Sequence, residues 1–326
     1  MSRAGLAPLR ILMSEQALGR IGHAIAHALG RRAFEPVVAA QTRGHEPRDV
    51  DVAFISRDVT GLSTKHRVLE PLEAFYGSLR QSPRLAWVHV HSAGADRPIF
   101  GELKERGVRV TTSSGANARV VAQTALAGIL ALAREFPTLF EAQRARTWTP
   151  LIGSLLPRDL AGQTAVIVGW GPIGRELATY LQMLGLTVIA VRSTAEPAAD
   201  GVETHAFEDL AQIAGRADWL VLACPLSDRT RGLLNAHVLS RMAPHARLVN
   251  VARGEVADES DLIDALRAKT LAGAYLDVFA HEPLDAASPL WDLPNVIVTP
   301  HSAGHSDGNE ARVDRIFLDY LREWRL

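Results

Sequence analysis

The chain has 326 residues, of which 47% are hydrophobic, and this length is sufficient for two domains of ordinary size. A formal net charge of −1 and the lack of a long basic run argue against a nucleic-acid partner. The single cysteine, Cys224, excludes an internal disulfide framework and fits a reducing compartment, so we expect a cytoplasmic protein. The apolar stretch at residues 124–133 is too short to span a bilayer, so we expect no membrane partner.

The first hundred or so residues alternate short apolar runs with segments of helical periodicity. Helical spacing occurs at residues 16–29 and 69–79. The predicted strands are residues 10–13, 36–40, 52–55, 85–90 and 108–112. This alternation predicts a small doubly wound α/β domain whose strand ends line a cleft.

A strongly apolar helix is predicted next, over residues 117–136, and such a helix is typically buried between layers or subunits. Residues 144–162 have no clear periodicity and are interpreted as a long connection.

The most informative segment follows that connection. The apolar strand 166–168 continues into Gly169-Trp170-Gly171-Pro172-Ile173-Gly174, then into a helix and a second strand that ends near Val191. Glycines allow a pyrophosphate to approach the backbone, and the amides at the start of the helix point towards it. The segment therefore predicts a dinucleotide site, the alternative being a strand-turn-helix with incidental glycines.

The end of the second strand bears on which dinucleotide binds. An Asp or Glu about 20 residues past the glycines normally accepts hydrogen bonds from the ribose hydroxyls of NAD. Here Arg192, Ser193 and Thr194 occupy that place. Because a guanidinium pairs with a phosphate and hydroxyls donate to it, NADPH is favoured over NADH. The alternative is that Arg192 only extends into solvent.

Four further strands are predicted beyond this point, which give a six-stranded dinucleotide-binding sheet. They are residues 219–223, 247–251, 273–277 and 296–299, with helices at 235–241 and 259–268. A last helix at 307–324 makes the first domain discontinuous if it packs back on it.

Three residues at or beyond strand ends have the chemistry of carbonyl reduction. His301 is a natural acid/base, Glu282 would fix its tautomer and stabilise the imidazolium, and Arg253 offers two parallel donors to a carboxylate. Each also has an ordinary structural explanation when taken alone. Their order after a cofactor loop favours a catalytic trio.

Over most of its length the chain resembles the D-isomer-specific 2-hydroxyacid dehydrogenases. The matching segments are Ser92 to Asp96, Gly115 to Ala118, Leu160 to Thr164, the glycine loop, Pro225 to Ser227 with Thr230, Asn250 to Gly254, Leu276 to Phe279, Glu282 to Leu284, and Pro300-His301. The resemblance implies a Rossmann-type cofactor domain, residues 115–300, inserted in a smaller flavodoxin-like substrate domain, residues 1–114 and 301–326. It also implies a homodimer.

The resemblance further implies a role for each site residue. Arg253, Glu282 and His301 would be catalytic. Substrate binding would involve Ser92, Ala93, Gly94, Ala95, Arg253 and His301, with Trp148 supplied to the partner subunit's site. The cofactor would contact Gly169, Gly171, Pro172, Ile173, Gly174, Arg192, Ser193, Thr194, Pro225, Thr230, Val251, Ala252, Asp277, His301 and Ala303. No metal is expected.

Together these observations predict a reductase of small 2-oxo acids, closest in pattern to the NADPH-dependent glyoxylate/hydroxypyruvate reductases. NADPH is the preferred cofactor and NAD the second option. Two alternatives stay open: a nucleotide-sensing, corepressor-like interaction protein of the same fold, and a dehydrogenase for a bulkier 2-hydroxy acid or another hydride donor. The roles of His89, His91 and Arg57 are also open.

Overall fold

The computed structural model describes residues 7–38, 49–153, 156–198 and 201–324. The chain divides into two compact units, Met1–Asn117 with Ser306–Leu326, and Ala118–His305. The first unit is therefore built from both ends of the chain. The sequence-derived boundaries, after residues 114 and 300, lie a few residues before these.

The first unit contains a five-stranded, wholly parallel sheet. Its strands are β1 (Leu9–Met13), β2 (Phe34–Val38), β3 (Val52–Ile55), β4 (Trp87–Val90) and β5 (Arg109–Thr112). The spatial order is β2-β1-β3-β4-β5, which is the flavodoxin-like order. β3 and β4 are buried throughout, as expected for central strands covered on both faces. Residues 39 and 40 of the second predicted strand lie outside the described residues.

Helices cover this sheet and include the last one in the chain. They are α1 (Glu15–Leu29), α2 (Arg57–Thr60), α3 (Glu70–Arg80), α4 (Pro98–Glu105) and α11 (Asn309–Glu323). The α1 helix starts where Ser14 accepts a hydrogen bond from the Ala17 amide at 3.0 Å. Arg20 of α1 donates from Nε to Oδ2 of Asp314 in α11 at 3.0 Å. The C-terminal helix thus packs on the N-terminal one.

His89 belongs to the core of this unit. It is fully buried, with Nδ1 2.8 Å from Oγ1 of Thr111 and Nε2 2.9 Å from Oγ of Ser113. Burial lowers the pKa of His89 to about 3, because the charged imidazolium would lose its hydration. His91 is half-buried, with Nε2 3.0 Å from Oγ1 of Thr60.

The second unit contains a seven-stranded parallel sheet. Its strands are β6 (Thr164–Val168), β7 (Thr187–Arg192), β8 (Glu203–Ala206), β9 (Trp219–Leu222), β10 (Arg247–Asn250), β11 (Gly273–Leu276) and β12 (Val296–Val298). The order β12-β11-β10-β9-β6-β7-β8 reverses direction between β6 and β9. This is the Rossmann arrangement with one additional strand, and ligands of such sheets bind beyond the strand ends at that reversal.

The helices of the second unit lie between these strands or precede them. They are α5 (Ala118–Ala133), α6 (Phe136–Arg144), α7 (Pro172–Met183), α8 (Leu210–Ile213), α9 (Ala236–Leu239) and α10 (Glu259–Arg267). In α5, Gly128 allows the helix to contact the ring of Tyr275 in β11, where a Cβ would overlap it. Among the described helices, no single one has the length and apolarity of a membrane span, although α5 and α6, bent by 68°, reach them as a pair.

Two sequence predictions were wrong in this unit. The sheet has seven strands rather than six, because the edge strand β8 is polar and partly exposed and so lacks an apolar run. The helix predicted over residues 117–136 ends at Ala133, since Glu135 adopts a left-handed conformation with φ 56°, and a second helix begins at Phe136. Helix α6 was not predicted, because none of its residues is buried.

Asp218 joins three segments at the amino edge of the second sheet. Its Oδ2 accepts from the Thr164 amide at 2.8 Å, and Oδ1 lies 2.8 Å from Nη1 of Arg158 and 2.9 Å from Nε2 of His245. Burial would raise the pKa of the Asp218 carboxyl, but these partners hold it below its usual value. The carboxylate therefore stabilises the start of β6 and β9.

Candidate active site

The glycine loop between β6 and α7 has the shape of a phosphate cradle. Gly169 has φ +110°, and a Cβ there would lie 2.5 Å from the Cys224 amide nitrogen. A Cβ on Gly174 would overlap the carbonyl of Gly169, so both positions require glycine. At Gly171, which precedes α7, no described atom beyond its chain neighbours lies within 4 Å of the Cβ position. This open approach to a helix N-terminus fits a pyrophosphate.

The loop after β7 carries the three residues from which the sequence analysis predicted a preference for NADPH. Arg192 ends the strand half-buried, and Ser193 and Thr194 follow it exposed. Their side chains are a cation and two hydroxyls, which match a phosphate better than ribose hydroxyls. Contacts of these residues with a cofactor stay a prediction.

The loop after β9 is braced from within. The hydroxyl of Thr230 donates to the Pro225 carbonyl at 2.8 Å and accepts from the Ser227 amide at 2.8 Å. Thr230 is buried, whereas Pro225 is exposed, so Thr230 shapes the loop that presents Pro225. Burial raises the pKa of the neighbouring Cys224 thiol to about 12, which fits a small core residue and not a nucleophile.

The segment after β10 fixes the backbone around Arg253. Asn250 accepts from the Ala252 amide at 3.1 Å and donates to the Arg253 carbonyl at 3.2 Å. Val251 and Ala252 are buried, while Arg253 is half-buried. Arg253 donates from Nη1 to the Ala252 carbonyl at 2.7 Å. The guanidinium is thereby turned back along its own loop.

Gly254 allows this segment to contact the one that leads to Glu282. A Cβ on Gly254 would overlap the backbone of Phe279 and Ala280. Sequence analysis included Gly254 in a motif but assigned it no role. A glycine directly after an arginine at a strand end was the available signal for such a close approach.

Asp277 organises the loop that carries His301. It is 2% exposed, and Oδ1 accepts from the Ser302 amide at 2.8 Å and from Oγ1 of Thr299 at 2.6 Å. Its Oδ2 accepts from the Ala303 amide at 3.0 Å. The predicted contact of Asp277 and Ala303 with a cofactor is not tested by these bonds. Thr299 is a positioning residue that sequence analysis missed, since a threonine at a strand end carries no distinctive signal.

His301 and Glu282 form a hydrogen-bonded pair. Nδ1 of His301 lies 2.8 Å from Oε2 of Glu282, and Oε1 of Glu282 accepts from the Phe279 amide at 3.2 Å. Burial would raise the pKa of the Glu282 carboxyl, but His301, the Phe279 amide and the charge of Arg253 together hold it below its usual value. An ionised carboxylate only accepts, so Nδ1 carries the proton, and Nε2 is the acceptor nitrogen of the neutral imidazole.

Exposure differs across this pair in the sense that catalysis requires. The His301 side chain is 47% exposed and that of Glu282 is 13% exposed. The partly buried carboxylate thus orients an accessible imidazole. The structure brings Arg253, Glu282 and His301 into the second unit, the same unit as the glycine loop.

The remaining predicted substrate residues are placed as follows. Ser92, Ala93, Gly94 and Ala95 belong to the first unit, in the loop between β4 and α4, where Oγ of Ser92 donates to the Gly94 carbonyl at 2.7 Å. Trp148 belongs to the second unit and is 94% exposed. The substrate roles of these residues stay predictions. Within the described ranges, no group of three or more His, Cys, Asp or Glu side chains is arranged to hold a metal ion.

Residues 126–303 match the family model described as D-isomer specific 2-hydroxyacid dehydrogenase, NAD binding domain. The chain is 34% identical over 258 residues to (S)-sulfolactate dehydrogenase of Chromohalobacter salexigens, which covers 78% of this chain and 81% of the relative. It is 33% identical over 281 residues to glyoxylate reductase of Thermococcus gammatolerans, covering 83% and 80%.

Among solved structures, the chain is similar to an NADPH-dependent glyoxylate/hydroxypyruvate reductase from Sinorhizobium meliloti in complex with citrate. The TM-score is 0.75 at 28% identity, covering 97% of this chain and 94% of that one. The matched region contains the glycine loop, Arg253, Glu282 and His301. The chain therefore belongs to the D-isomer specific 2-hydroxyacid dehydrogenase family of oxidoreductases.

Proposed function

We propose that the protein uses NADPH to reduce a small 2-oxo acid to the D-2-hydroxy acid, with glyoxylate and hydroxypyruvate as first candidates. The observation that carries this proposal is the Glu282–His301 pair, which leaves Nε2 of an accessible imidazole free for acid/base chemistry. It lies in the unit that holds the dinucleotide cradle.

Each residue of the trio has a distinct task. A bound NADPH supplies the hydride for the carbonyl carbon. His301 donates a proton from Nε2 to the carbonyl oxygen as negative charge develops there, and regains one from solvent in the next cycle. Glu282 stabilises the imidazolium before that transfer, and Arg253 pairs with the substrate carboxylate.

The preference for NADPH rests on Arg192, Ser193 and Thr194 at the end of β7. A 2′-phosphate would gain ionic contacts there, whereas a free ribose hydroxyl would find no carboxylate at those three positions. NADH remains usable under this proposal but less efficient.

The test is a matrix of steady-state rates. Glyoxylate, hydroxypyruvate, pyruvate and phenylpyruvate are each measured with NADPH and NADH. We expect the highest kcat/KM for glyoxylate or hydroxypyruvate with NADPH. A higher kcat/KM with NADH would overturn the cofactor assignment. Absence of turnover with every acid, combined with dimerisation that depends on NADPH, would instead identify a nucleotide-sensing interaction protein.

A second candidate substrate is a larger acid with a second anionic group. Arg57 follows β3 half-buried, and burial together with the charge of Arg97 lowers the pKa of its guanidinium. A second anion would offset both effects. Sulfopyruvate and 3-phosphohydroxypyruvate, the 2-oxo acids that correspond to sulfolactate and 3-phosphoglycerate, test this in the same assay, and Arg57→Gln should reduce kcat/KM for them more than for glyoxylate.

We also propose that the protein is a cytoplasmic homodimer. Helix α6 buries none of its residues, and Phe140 and Trp148 are 50% and 94% exposed. Exposed aromatic residues of this kind are typical of subunit interfaces. Light scattering should give twice the chain mass, and Phe140→Ser with Trp148→Ser should halve it. Trp291→Ser, which removes a tryptophan of 50% exposure elsewhere, is the control.

A further inference from the structure

A second arginine contacts the segment on which the NADPH preference depends. Arg229 lies in the loop after β9, and its Nη2 donates to the carbonyl oxygen of Ser193 at 3.0 Å. Ser193 directly follows Arg192, the last residue of β7. The Arg229 guanidinium therefore lies beside Ser193, the residue that follows Arg192, although the two arginines are 37 positions apart in the sequence.

The Arg229 side chain is held in place before any ligand binds. Its Nη2 also donates to Oε1 of Glu208 at 2.7 Å. Its guanidinium carbon lies 5.5 Å from the centroid of the Phe207 ring, at cation–π distance. Glu208 and Phe207 directly follow the edge strand β8, which pairs with β7 so that Ala206 faces Arg192. The segment after β8, the strand that the sequence analysis missed, thus supports Arg229.

The bonds that hold Arg229 leave most of its donors available. A guanidinium has five N–H groups, and the bonds to Ser193 and Glu208 use only Nη2. The Arg229 side chain is 50% exposed, which is compatible with an approach of a ligand to it. The hydrogen bond from Arg229 lowers the pKa of the Glu208 carboxyl, which keeps it ionised as a counter-ion at neutral pH. Because this ion pair is exposed, a ligand can displace it at small cost.

We propose that Arg229 is a second recognition residue for the 2′-phosphate of NADPH, so that cofactor preference depends on Arg192 and Arg229 together. This inference rests on the proposed NADPH preference. Arginines from the loops after two different strands, β7 and β9, would then bind one phosphate. Two arginines are more selective than a single strand-end arginine, because planar guanidinium groups fix the directions of their hydrogen bonds.

The test measures binding rather than turnover. Dissociation constants for NADP⁺, NAD⁺, 2′,5′-ADP and 5′-AMP are determined by calorimetry at low and high salt. In Arg229→Gln, we expect Kd for NADP⁺ and 2′,5′-ADP to rise about tenfold, with a weaker salt dependence, and Kd for NAD⁺ and 5′-AMP to change less than twofold. Arg229→Lys should restore part of the loss.

Arg231→Gln is the matched control. Arg231 lies two positions further along the same loop, is 59% exposed and pairs with Glu255 at 4.0 Å. Its replacement should change none of the four dissociation constants. Equal weakening of all four ligands in Arg229→Gln would overturn the inference, because it would indicate stacking on adenine or altered folding. Unchanged NADP⁺ binding would overturn it as well.

The failure of the inference can be distinguished from that of the proposed function. If the wild type binds NAD⁺ as tightly as NADP⁺, the proposed NADPH preference fails and the inference fails with it. A second outcome is that the wild type prefers NADP⁺, that Arg192→Gln reduces this preference and that Arg229→Gln does not. In that case only the inference about Arg229 fails.

Discussion

Glu282 and His301 are 19 positions apart in the sequence, yet Oε2 of one and Nδ1 of the other are 2.8 Å apart. The bond assigns the proton of the neutral imidazole to Nδ1 and so determines which nitrogen meets the substrate. The loop of His301 is fixed in turn by Asp277, whose backbone carbonyl accepts from the His301 amide at 2.8 Å. Catalysis by this enzyme should therefore be sensitive to both the imidazole and the carboxylate.

His301→Gln should lower kcat by about 10²- to 10⁴-fold, because general acid/base transfer contributes roughly that factor. Cofactor Kd should rise far less than kcat falls, since the glycine loop is unchanged and His301 is only one of the expected cofactor contacts. Glu282→Gln should lower kcat less, as it keeps a hydrogen-bonding group but removes the charge. Steady-state kinetics with calorimetry separates these effects. The control is His281→Gln, which removes an exposed neighbouring imidazole; a similar loss in that variant would argue against a specific role for His301.

Gly171→Ala should weaken binding of NADPH and NADH equally, by about tenfold or more, without lowering the melting temperature. The reason is that the added methyl meets open space in the free protein but occupies the approach to the helix N-terminus. Gly101→Ala in α4 also adds a methyl where nothing lies within 4 Å, and it should leave both affinities unchanged. Unaltered dinucleotide binding in Gly171→Ala would mean that the phosphates bind elsewhere.

Gly254→Ala should reduce both stability and kcat/KM. The methyl would overlap the backbone of Phe279 and Ala280, so the Arg253 segment and the segment leading to Glu282 must separate. Overpacking of this kind costs about 1–3 kcal/mol. Thermal melting and kinetics measure the two effects, and Gly77→Ala in α3, which adds a methyl in open space, should show neither. Wild-type kcat/KM in Gly254→Ala would contradict the proposed contact.

His89 should make the protein less stable in acid. Because the pKa of folded His89 is about 3 and its ordinary value is 6.5, the unfolded chain takes up the proton first as pH falls. The destabilisation caused by His89 is absent above about pH 6.5. Below that pH the free energy of unfolding falls by about 1.4 kcal/mol per pH unit, down to about pH 3. His89→Gln should be less stable at pH 7.5 but lose less stability than the wild type on going to pH 5.5. Equal losses, measured by denaturant unfolding, would show that other groups dominate.

Much of the fold is predictable from the sequence because buried parallel strands are continuous apolar runs. The strands from β3 to β7 were located to within a few residues on this basis. Strand β8 was not, since its sequence, Glu-Thr-His-Ala, is polar and lies at the sheet edge. Helix α6 was missed for a related reason: without a buried face it has no apolar stripe. Hydrophobic periodicity reveals buried faces, and β8 and α6 lack such a face.

The candidate site likewise has residues that the sequence pattern predicts and others that it does not. Strand ends and residue chemistry predict Arg253, Glu282 and His301 as site residues, because parallel strands present their carboxyl ends at one edge. The contributions of Gly254, Thr299 and Arg229 depend on contacts between distant segments, and no local pattern encodes such contacts. Arg229 in particular is supported by residues after β8, so it could not be recognised while that strand was unknown.

The bonds of Asp218 tie together the amino edge of the second sheet, whereas the glycine loop, Arg253 and His301 all follow carboxyl ends. Robustness and chemistry are thus assigned to opposite rims of one scaffold. A designer could reinforce the amino rim to obtain a heat-resistant biocatalyst, and separately redesign the loops of the other rim for a new acid or cofactor, with little interference between the two programmes.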